Sequence, residues 1–395
     1  MKPFPVSAYT QTSAAGTGMS ELRDSLRQRR SGLRPNDFPQ CDLDIWIGRV
    51  PGLERVRSEA LEPAWNSRNN ALAALGLWQD GFLSAVEAAC TRYGSHRVGC
   101  VIGTSTSSIG RSEEAFTALD ADGSMTAEFR QKAVHHPHSP GQYVAWATGL
   151  TGPSLTVSTA CASAARVFTS AQRWLEAGIV DAVLVGGVDS LCLTVLYGFS
   201  SLELNSSQPC RPFDVHRNGL NLGEAAGFAL LEREEQEPGT SIWFAGYGES
   251  SDAFHMSQPH PEGEGARLSM VLALERAGLK SSDLGYINLH GTATRANDLT
   301  EALAVSRVFD QGVFASSTKG WTGHALGAAG IVEAVIAMDA LNTGLLPGTI
   351  NLSEPDPELA YTIERNNAER EVTAVLSNSF GFGGNNCSVV FRRGG

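Results

Sequence analysis

Short apolar runs alternate with longer segments of helical periodicity along most of the chain. In the first part of the sequence, the runs that predict buried strands are 98–105, 154–160, 180–187 and 227–233. The segment 162–178 has helical periodicity and ends on a glycine, the residue that most often terminates a helix. Strands that alternate with helices in this way predict an α/β fold with a parallel sheet.

The same alternation recurs in the second part of the chain. Its predicted strands are 242–250, 284–290, 313–318 and 371–379, and its predicted helices are 265–278 and 325–344. The polar, turn-prone stretch 232–240 separates the two sets of elements. We therefore predict an N-terminal half of residues 1–235 and a C-terminal half of residues 236–395. Two halves with the same alternation suggest a duplicated fold.

Composition and charge exclude several classes of function. The 395 residues carry a formal net charge of -12, whereas a nucleic-acid binder needs a dominant basic face. The most apolar run, 177–199, contains Asp181 and Asp189, which favours a buried strand and its neighbours over a membrane span. The seven cysteines are scattered without CxxC spacing, and no signal-peptide pattern opens the sequence. We therefore expect reduced thiols and a cytoplasmic protein with no nucleic-acid or membrane partner.

The stretch VSTACASAARVF, residues 157–168, contains the first candidate for chemistry. It places Cys161 after a predicted buried strand and before a predicted helix. The unpaired N–H groups at a helix start lower a thiol pKa, and the backbone amide of such a cysteine can bind an oxyanion. Taken alone, a cysteine here is more often a small buried residue than a nucleophile. Partner residues must decide between the two interpretations.

Three later stretches supply such partners. The stretch NLHGTATRANDLTEA puts His290 at the end of a predicted strand, and SSTKGWTGHALGAAGIVEA puts Lys319 and His324 in a second strand-to-helix loop. The third stretch, SNSFGFGGNN at 377–386, is a glycine-rich turn. A lone histidine at a strand end is as often structural as catalytic. Together the stretches place a thiol, two imidazoles and an ammonium group at C-terminal strand ends, where open α/β sheets hold their sites.

These motifs carry a resemblance to a known family. The stretches TACAS, CRPFDVHRNG, HGTATRANDLTEA, STKGWTGHALGAAGIVEA and NSFGFGGNN occur in this order, and the chain resembles the elongating Cys-His-His β-ketoacyl-acyl carrier protein synthases of the thiolase-like superfamily. The resemblance implies a thiolase-like fold with two duplicated βα halves in five α-β-α-β-α layers. It also implies a decarboxylative Claisen condensation of malonyl-carrier protein with an acyl chain, which elongates fatty-acid, polyene or polyketide-type chains.

The resemblance also implies the catalytic roles. Cys161 would carry the acyl chain, and His290 and His324 would both present Nε2–H to the malonyl thioester carbonyl. Decarboxylation forms an enolate, whose negative charge two preorganised donors can stabilise. The backbone amides of Cys161 and Phe382 would form the oxyanion hole, with Phe382 also gating the acyl pocket. Lys319 would orient His324.

Other motif positions take binding and supporting roles through the same resemblance. The expected substrate-binding residues are Thr292 and Thr294 for the phosphopantetheine amides, Phe380, and Thr106 for the chain terminus. The expected supporting carboxylates are Glu333, Asp298 and Glu301. The resemblance implies no metal and no cofactor, since the phosphopantetheine arrives on the carrier protein. The implied partners are an acyl carrier protein and a second subunit, either another copy or a related ketosynthase or chain-length factor.

The chain departs from the family pattern at two places. The usual N-terminal strand opening is replaced by VSAYTQTSAAG, which puts the strand register near residues 6–16 in question. The common RDGF pattern after CRPFD is RNGL here, with Asn218 and Leu220, which changes the lining of the pocket mouth. These changes favour a specialised polyene or polyketide pathway over housekeeping fatty-acid synthesis.

Two other functions, and one variant of the condensing enzyme, compete with this interpretation. The first is that of a non-catalytic partner subunit of the chain-length-factor type, and the retained Cys161, both histidines and Lys319 argue against it. A Cys-His-Asn synthase is disfavoured because His324 stands where that branch has asparagine. The second is a cysteine hydrolase, which gives no reason for a second histidine donor.

Two surface motifs have simple interpretations, and three basic residues are candidates for carrier-protein docking. The HHPH stretch at 135–138 has too few ligands for a metal site. The arginine-rich segment 21–35 is interpreted as an amphipathic helix rather than a docking surface. For an acidic carrier protein, Arg68, Arg130 and Lys132 are the candidate docking cations.

Overall fold

The computed structural model describes residues 1–235, 242–309 and 312–394. Its strands are β1 (Phe4–Ser13), β2 (Gly16–Thr17), β3 (Arg34–Pro35), β4 (Trp46–Gly48), β5 (Val98–Gly103), β6 (Ser154–Val157), β7 (Ala182–Asp189), β8 (Leu222–Gly223), β9 (Ala225–Glu232), β10 (Ile242–Ser251), β11 (Tyr286–Asn288), β12 (Phe314–Ser316), β13 (Leu345–Leu346), β14 (Ala368–Glu369), β15 (Ala374–Gly381) and β16 (Asn385–Arg393). Its helices are α1 (Met19–Arg27), α2 (Leu53–Glu59), α3 (Arg68–Leu77), α4 (Phe82–Tyr93), α5 (Ile109–Thr117), α6 (Ser139–Ala147), α7 (Ser163–Glu176), α8 (Leu193–Ser201), α9 (Glu264–Ala277), α10 (Arg295–Ser306), α11 (Lys319–Thr322) and α12 (Ala329–Thr343). Residue 236, the first of the predicted C-terminal half, lies outside the described residues.

The main sheet consists of two sets of strands with one strand order. The order is β6-β5-β7-β9-β1 in the N-terminal set and β12-β11-β15-β16-β10 in the C-terminal set. In each set the first three strands are parallel to one another, and the last two run antiparallel to their neighbours. Numbered along the chain, both sets are ordered third, second, fourth, fifth, first. The two halves therefore have the same topology, which confirms the predicted duplicated α/β fold.

The layers follow from the helices between and outside the two sets. β1 pairs with β10 where the sets join, through residues 4–6 and 242–244. Beyond this pairing, α7 and α12 lie between the sets, since each contacts strands of both. Helices α3, α4 and α6 cover the outer face of the N-terminal set, and α9 and α10 cover that of the C-terminal set. The result is the expected order of five α-β-α-β-α layers.

Helix α12 is mostly apolar and is buried on every side over most of its length, because it lies in the central layer. Every residue from Ala329 to Leu341 is buried. The segment Leu326–Thr343 is long and apolar enough to be compared with a membrane span, but 89% of it is buried inside the protein. A helix without a polar face is stable in water only when other parts of the protein cover it. We therefore describe α12 as a core helix.

β1 is a regular strand despite the unusual sequence at this position. It pairs with β9 from Val6 to Ser13, with one irregularity in register between Val6 and Ala8. Phe4 and Val6 are buried in the core between the two sets. Burial of one face of a strand specifies its pairing register. The structure therefore defines the register of β1 from Val6 to Ser13, within the stretch 6–16 that the sequence left in question.

The arginine-rich segment 21–35 is helical only in its first part. Leu22 and Leu26 are buried, so α1 is amphipathic as predicted. The helix ends at Arg27, and Arg29 has a left-handed φ of 51°. The periodicity of the charged residues beyond that point therefore does not correspond to a helix.

We predict that Phe168→Ala lowers the free energy of unfolding by about 3–5 kcal/mol, the usual cost of truncating a buried phenylalanine. The Phe168 ring is fully buried on α7, with centroids 5.3 Å from the Phe244 ring and 5.2 Å from the Phe391 ring on the C-terminal set. Urea unfolding followed by circular dichroism measures the loss. The control is Phe116→Ala, which removes a ring that is 68% exposed and should cost no more than about 0.5 kcal/mol. Equal midpoints for the two variants would contradict the prediction.

Candidate active site

Cys161 lies in a tight turn between β6 and α7. The preceding residue, Ala160, has a left-handed φ of 51°. Ser163 holds the turn from both sides, since its Oγ accepts the Thr159 amide at 2.9 Å and donates to the Ala160 carbonyl at 2.6 Å. α7 begins at Ser163, so the cysteine lies beside the amide end of the helix, as the sequence predicts.

The glycine-rich turn packs against the backbone of this cysteine. A Cβ atom on Gly381 would lie only 3.0 Å from the Cys161 nitrogen. The backbone amide of Phe382 donates a hydrogen bond to the Cys161 sulfur. Gly383, with φ 77°, then continues the turn in a conformation that favours glycine. The two backbone segments that carry the expected oxyanion donors are therefore in contact.

His324 contacts the sulfur directly, with Nε2 3.0 Å from Cys161 Sγ. The His324 backbone is held on both sides, because its N–H donates to the Asn221 carbonyl at 2.7 Å and its carbonyl accepts the Gly223 amide at 3.0 Å. The His290 ring stands edge-on to the His324 ring, with centroids 5.3 Å apart and 86° between the planes. The thiol and both imidazoles thus form one buried cluster.

Lys319 contacts His290 rather than His324. Its ammonium group donates to the His290 carbonyl at 2.5 Å, lies 3.3 Å from His290 Nδ1 and forms an ion pair with Glu333. This geometry corrects the expectation that Lys319 orients His324. An ammonium group has only donors, so His290 Nδ1 accepts and the ring proton is on Nε2. Lys319 therefore gives His290 the Nε2–H that its expected role requires.

Both imidazoles are neutral at pH 7. Burial and the positive charge of Lys319 hold the pKa of His290 and of His324 well below the ordinary histidine value. Burial raises the pKa of Glu333 to about 7, although the neighbouring Lys319 acts in the opposite direction. Neutral imidazoles retain an N–H donor, so they can stabilise a negative charge that develops on a substrate oxygen.

The Cys161 sulfur is a protonated thiol here, contrary to the predicted lowering of its pKa. Burial raises the pKa of Cys161 to about 11, which outweighs the lowering by Lys319 and by the Phe382 amide. The helix start alone therefore does not produce a thiolate at neutral pH. The proton leaves as the sulfur attacks, and His324 Nε2 is in place to accept it.

Two carboxylates of α10 hold the loop that carries His290. Glu301 accepts the amides of His290 at 2.8 Å and Gly291 at 2.7 Å. Asp298 accepts the Ala293 amide of the same loop at 3.2 Å and the Phe213 amide at 2.7 Å. Burial raises the pKa of Asp298 to about 6 and of Glu301 to about 7. These carboxylates bond to the loop backbone rather than to the reacting groups.

A cavity of about 280 Å³ opens beside the thiol. Of the expected residues, the cavity is lined by Cys161, His290, His324, Thr292, Thr294, Phe380 and Phe382. Other lining residues belong to helix α8 and to loops without a recognisable motif, namely Phe199, Leu202, Leu204, Ser257, Gln258 and Pro259. Of the two departures from the family pattern, Leu220 lines the cavity and Asn218 accepts the Ser206 hydroxyl at 2.6 Å. The tertiary fold, and not local sequence, brings the additional residues to the site.

Thr106 lies outside this cavity. Its hydroxyl and its amide both donate to Asp189, at 2.9 Å and 3.1 Å. It lines a separate cavity together with Ser112 and His136. Within this chain the Thr106 hydroxyl is therefore bound to a carboxylate, and the structure does not bring it to the cavity beside Cys161.

The HHPH stretch forms ordinary side-chain contacts. His135 hydrogen-bonds to the Ser112 hydroxyl at 2.8 Å and to the Phe129 carbonyl at 2.8 Å. Across residues 1–235, 242–309 and 312–394, no group of three or more His, Cys, Asp or Glu side chains is placed to hold a metal ion.

The candidate docking cations differ in exposure. Arg68 donates to the buried Glu224 at 2.8 Å and 2.5 Å and to Glu54 at 2.6 Å, so its guanidinium is already bound within the chain. Arg130 and Lys132 are exposed. Arg68 is therefore a weaker docking candidate than Arg130 and Lys132, whose side chains are available at the surface.

Comparison with known proteins identifies the family. Residues 73–237 match the N-terminal domain of beta-ketoacyl synthases, and residues 243–353 match the C-terminal domain. The chain belongs to the β-ketoacyl synthase family.

Individual relatives agree with this β-ketoacyl synthase assignment. The 3-oxoacyl-[acyl-carrier-protein] synthase 2 of Rhizobium meliloti (strain 1021) is 39% identical over 277 residues, which span 64% of this chain and 66% of the relative. Nodulation protein E of Rhizobium leguminosarum bv. trifolii is 34% identical over 96% of each chain. The solved ketosynthase ApeO, in complex with its chain length factor ApeC from Xenorhabdus doucetiae, is 34% identical with a TM-score of 0.89, and the match covers 99% of this chain and 98% of that one. This β-ketoacyl synthase is accordingly a condensing acyltransferase with a thiolase-like fold.

We predict that alkylation of Cys161 in this β-ketoacyl synthase accelerates steadily with pH. Because the pKa of Cys161 is raised to about 11, the thiolate fraction, and with it the iodoacetamide rate, should rise about tenfold per pH unit from pH 7 to 9. Mass spectrometry of the peptide that contains Cys161 separates its rate from those of the partly exposed Cys41 and Cys90. A rate that levels off below pH 8 would show that the thiol pKa is lowered instead.

Proposed function

We propose that the chain is a β-ketoacyl-[acyl carrier protein] synthase that condenses a malonyl group with an acyl chain held on Cys161. The observation that carries the proposal is the buried cluster in which His324 Nε2 lies 3.0 Å from the sulfur and Lys319 Nζ lies 3.3 Å from His290 Nδ1, a contact that assigns the His290 proton to Nε2. One base is sufficient for acyl transfer to a thiol. A second imidazole donor is useful when negative charge develops on the oxygen of a second substrate, as it does in condensation.

In the first half-reaction the acyl group passes from a carrier thioester to Cys161. The sulfur attacks the thioester carbonyl, its proton passes to His324 Nε2, and the new oxyanion lies between the backbone amides of Cys161 and Phe382. Collapse of this intermediate breaks the bond to the phosphopantetheine sulfur, which leaves with the proton. Among the described residues nothing hydrogen-bonds to His324 Nδ1, so this ring can take either tautomer.

In the second half-reaction a carbon–carbon bond forms. The bond between the malonyl Cα and its carboxylate breaks, CO2 departs, and the electron pair forms an enolate whose oxygen accepts hydrogen bonds from Nε2–H of His290 and His324. The enolate carbon then attacks the acyl thioester on Cys161. Collapse of the tetrahedral intermediate releases the β-ketoacyl product and the Cys161 thiolate, which takes up a proton from solvent.

An acyl carrier protein is the proposed source of both groups. The name of the Rhizobium meliloti relative specifies acyl-carrier-protein substrates for that protein. In this chain, the hydroxyls of Thr292 and Thr294 lie 2.9 Å apart on the cavity wall, where they can bond the amides of a phosphopantetheine arm. Phe199 and Phe380 supply apolar lining suited to an acyl chain. No cofactor of the protein itself is proposed, because the transferred groups arrive on the carrier arm.

A dimer is the proposed functional unit, either of two copies or with a related chain length factor, as in the ApeO–ApeC complex. β6 is the edge strand of the N-terminal set, and its Leu155 is 39% exposed. An exposed edge strand with an apolar residue readily pairs with another chain. A non-catalytic role for this chain in such a pair is disfavoured, since Cys161 and His324 are in direct contact.

The product class and location complete the proposal. The reaction fits the elongation of fatty-acid or polyketide-type chains, and the departures at Asn218 and Leu220 favour a specialised polyene or polyketide pathway. We propose that the chain is a soluble protein that works in the cytoplasm.

Intact-protein mass spectrometry tests the proposed function. Incubation with a panel of acyl-carrier proteins should add one acyl group to the wild-type chain and none to Cys161→Ala. Malonyl-carrier protein should then remove the adduct and yield a β-ketoacyl product. Absence of any adduct across the panel, with the protein folded, would refute a stand-alone synthase and point to a missing partner subunit.

We predict that His290→Ala separates the two half-reactions. Cys161 and His324 are unchanged in this variant, so acyl loading should stay within about threefold of wild type. Loss of one of two oxyanion donors should lower malonyl decarboxylation by about 100-fold or more. CO2 release from malonyl-carrier protein and adduct formation are measured on the same sample. An equal loss in both steps would contradict the assignment of His290 to the malonyl group.

A further inference from the structure

Asp189 is a buried carboxylate at the end of β7 that accepts six hydrogen bonds. Oδ1 accepts the Thr104 hydroxyl at 2.6 Å, the Thr106 hydroxyl at 2.9 Å and the Thr106 amide at 3.1 Å. Oδ2 accepts the amide and hydroxyl of Ser105, both at 2.8 Å, and the Gly327 amide at 2.7 Å. All six donors are neutral. A fully satisfied network of this kind fixes the positions of the segments that contribute to it.

The Gly327 contact connects Asp189 to His324. Gly327 is the third residue after His324 and lies in the short 3-10 turn Leu326–Ala328, in which Leu326 has a left-handed φ of 53°. A Cβ atom on Gly327 would lie 2.6 Å from Asp189 Oδ2. Asn221 and Gly223 hold the His324 backbone itself. The turn that follows His324 is therefore pressed directly against the carboxylate.

The same end of β7 also contacts the start of α7, the helix that follows Cys161. A Cβ atom on Gly187 would lie 2.5 Å from the Ala164 Cβ of α7 and 3.2 Å from the Ala328 Cα. The strand end thus contacts both the start of α7 and the turn after His324. Burial is the main cause of the raised pKa of the Cys161 thiol, and the negative charge of the nearby Asp189 adds to it.

We propose that Asp189 is a positioning residue for condensation. It holds the turn after His324 against the end of β7, which also contacts the start of α7. In this way Asp189 sets the contact between His324 and Cys161. Its kinetic consequence rests on the proposed function. Reactive groups must be placed within a fraction of an ångström, and a small displacement of His324 costs rate rather than substrate affinity.

The test compares Asp189→Asn with a matched control. The asparagine is isosteric, but its NH2 group faces a set of donors and the negative charge is gone. The value of kcat for condensation should fall on the order of tenfold or more, with KM for malonyl-carrier protein within about twofold. The alkylation profile of Cys161 should move to lower pH, because a neighbouring negative charge has been removed. A merely structural role would not predict this split between kcat and KM or the direction of the shift.

The control is Asp339→Asn, which alters a second buried carboxylate. Asp339 lies on α12 and binds Arg23 at 2.6 Å and Tyr9 at 3.3 Å, with no contact to Asp189 among the described hydrogen bonds. Its substitution should leave kcat and the Cys161 alkylation profile unchanged, even if the melting temperature falls.

A third variant tests the proposed positioning role if Asp189→Asn does not fold. Ser105→Ala removes one hydroxyl donor and keeps the charge, so kcat should fall about threefold without a shift in the alkylation profile. Wild-type kcat in folded Ser105→Ala, or wild-type kcat and alkylation in folded Asp189→Asn, would overturn the proposal. Failure of the wild-type chain to load or condense would instead refute the proposed function, and the alkylation profiles would still test the effect of Asp189 on Cys161.

Discussion

The buried ammonium group of Lys319 is the interaction on which the active site depends. With a residue exposure of 1%, this cation has to be paired and hydrogen-bonded inside the protein, and Glu333 and the His290 carbonyl meet that requirement. Its contact with Nδ1 places the His290 proton on Nε2, and its charge adds to the effect of burial in keeping both imidazoles neutral. Glu333 comes from the central helix α12 and His290 from the loop after β11. The same cation therefore connects the central layer to the C-terminal set of strands.

The duplicated topology explains why the nucleophile and its partners meet. The Cys161 turn follows β6, the third main-sheet strand along the N-terminal half. The segment with Lys319 and His324 follows β12, the third main-sheet strand along the C-terminal half. These loops are topologically equivalent, and each leads into one of the two helices of the central layer. Because α7 and α12 pack together, the two equivalent loops converge, and one half supplies the sulfur while the other supplies the donors.

Much of this arrangement could be predicted from local sequence. Periodicity located most main-sheet strands, and the motifs around Cys161, His290 and His324 lie on segments that do come together. Contacts between distant segments could not be predicted in this way. The raised pKa of Cys161 results from burial. The contact of Lys319 with His290 rather than with His324 depends on where the fold places the ammonium group. Asp189, a carboxylate at the end of an apolar run, was visible in the sequence, but its six donors come from loops that only the fold assembles.

The burial of α12 from Ala329 to Leu341 has a consequence for the history of the chain. The C-terminal half alone would expose this apolar central helix, and such a surface associates with another copy or aggregates. An ancestral half-length protein with this topology would thus have been soluble only as a pair, with the helix of one copy covered by the other. Gene duplication and fusion would then have joined partners that already shared a core. After fusion, the two equivalent loops were free to diverge into a nucleophile on one side and hydrogen-bond donors on the other.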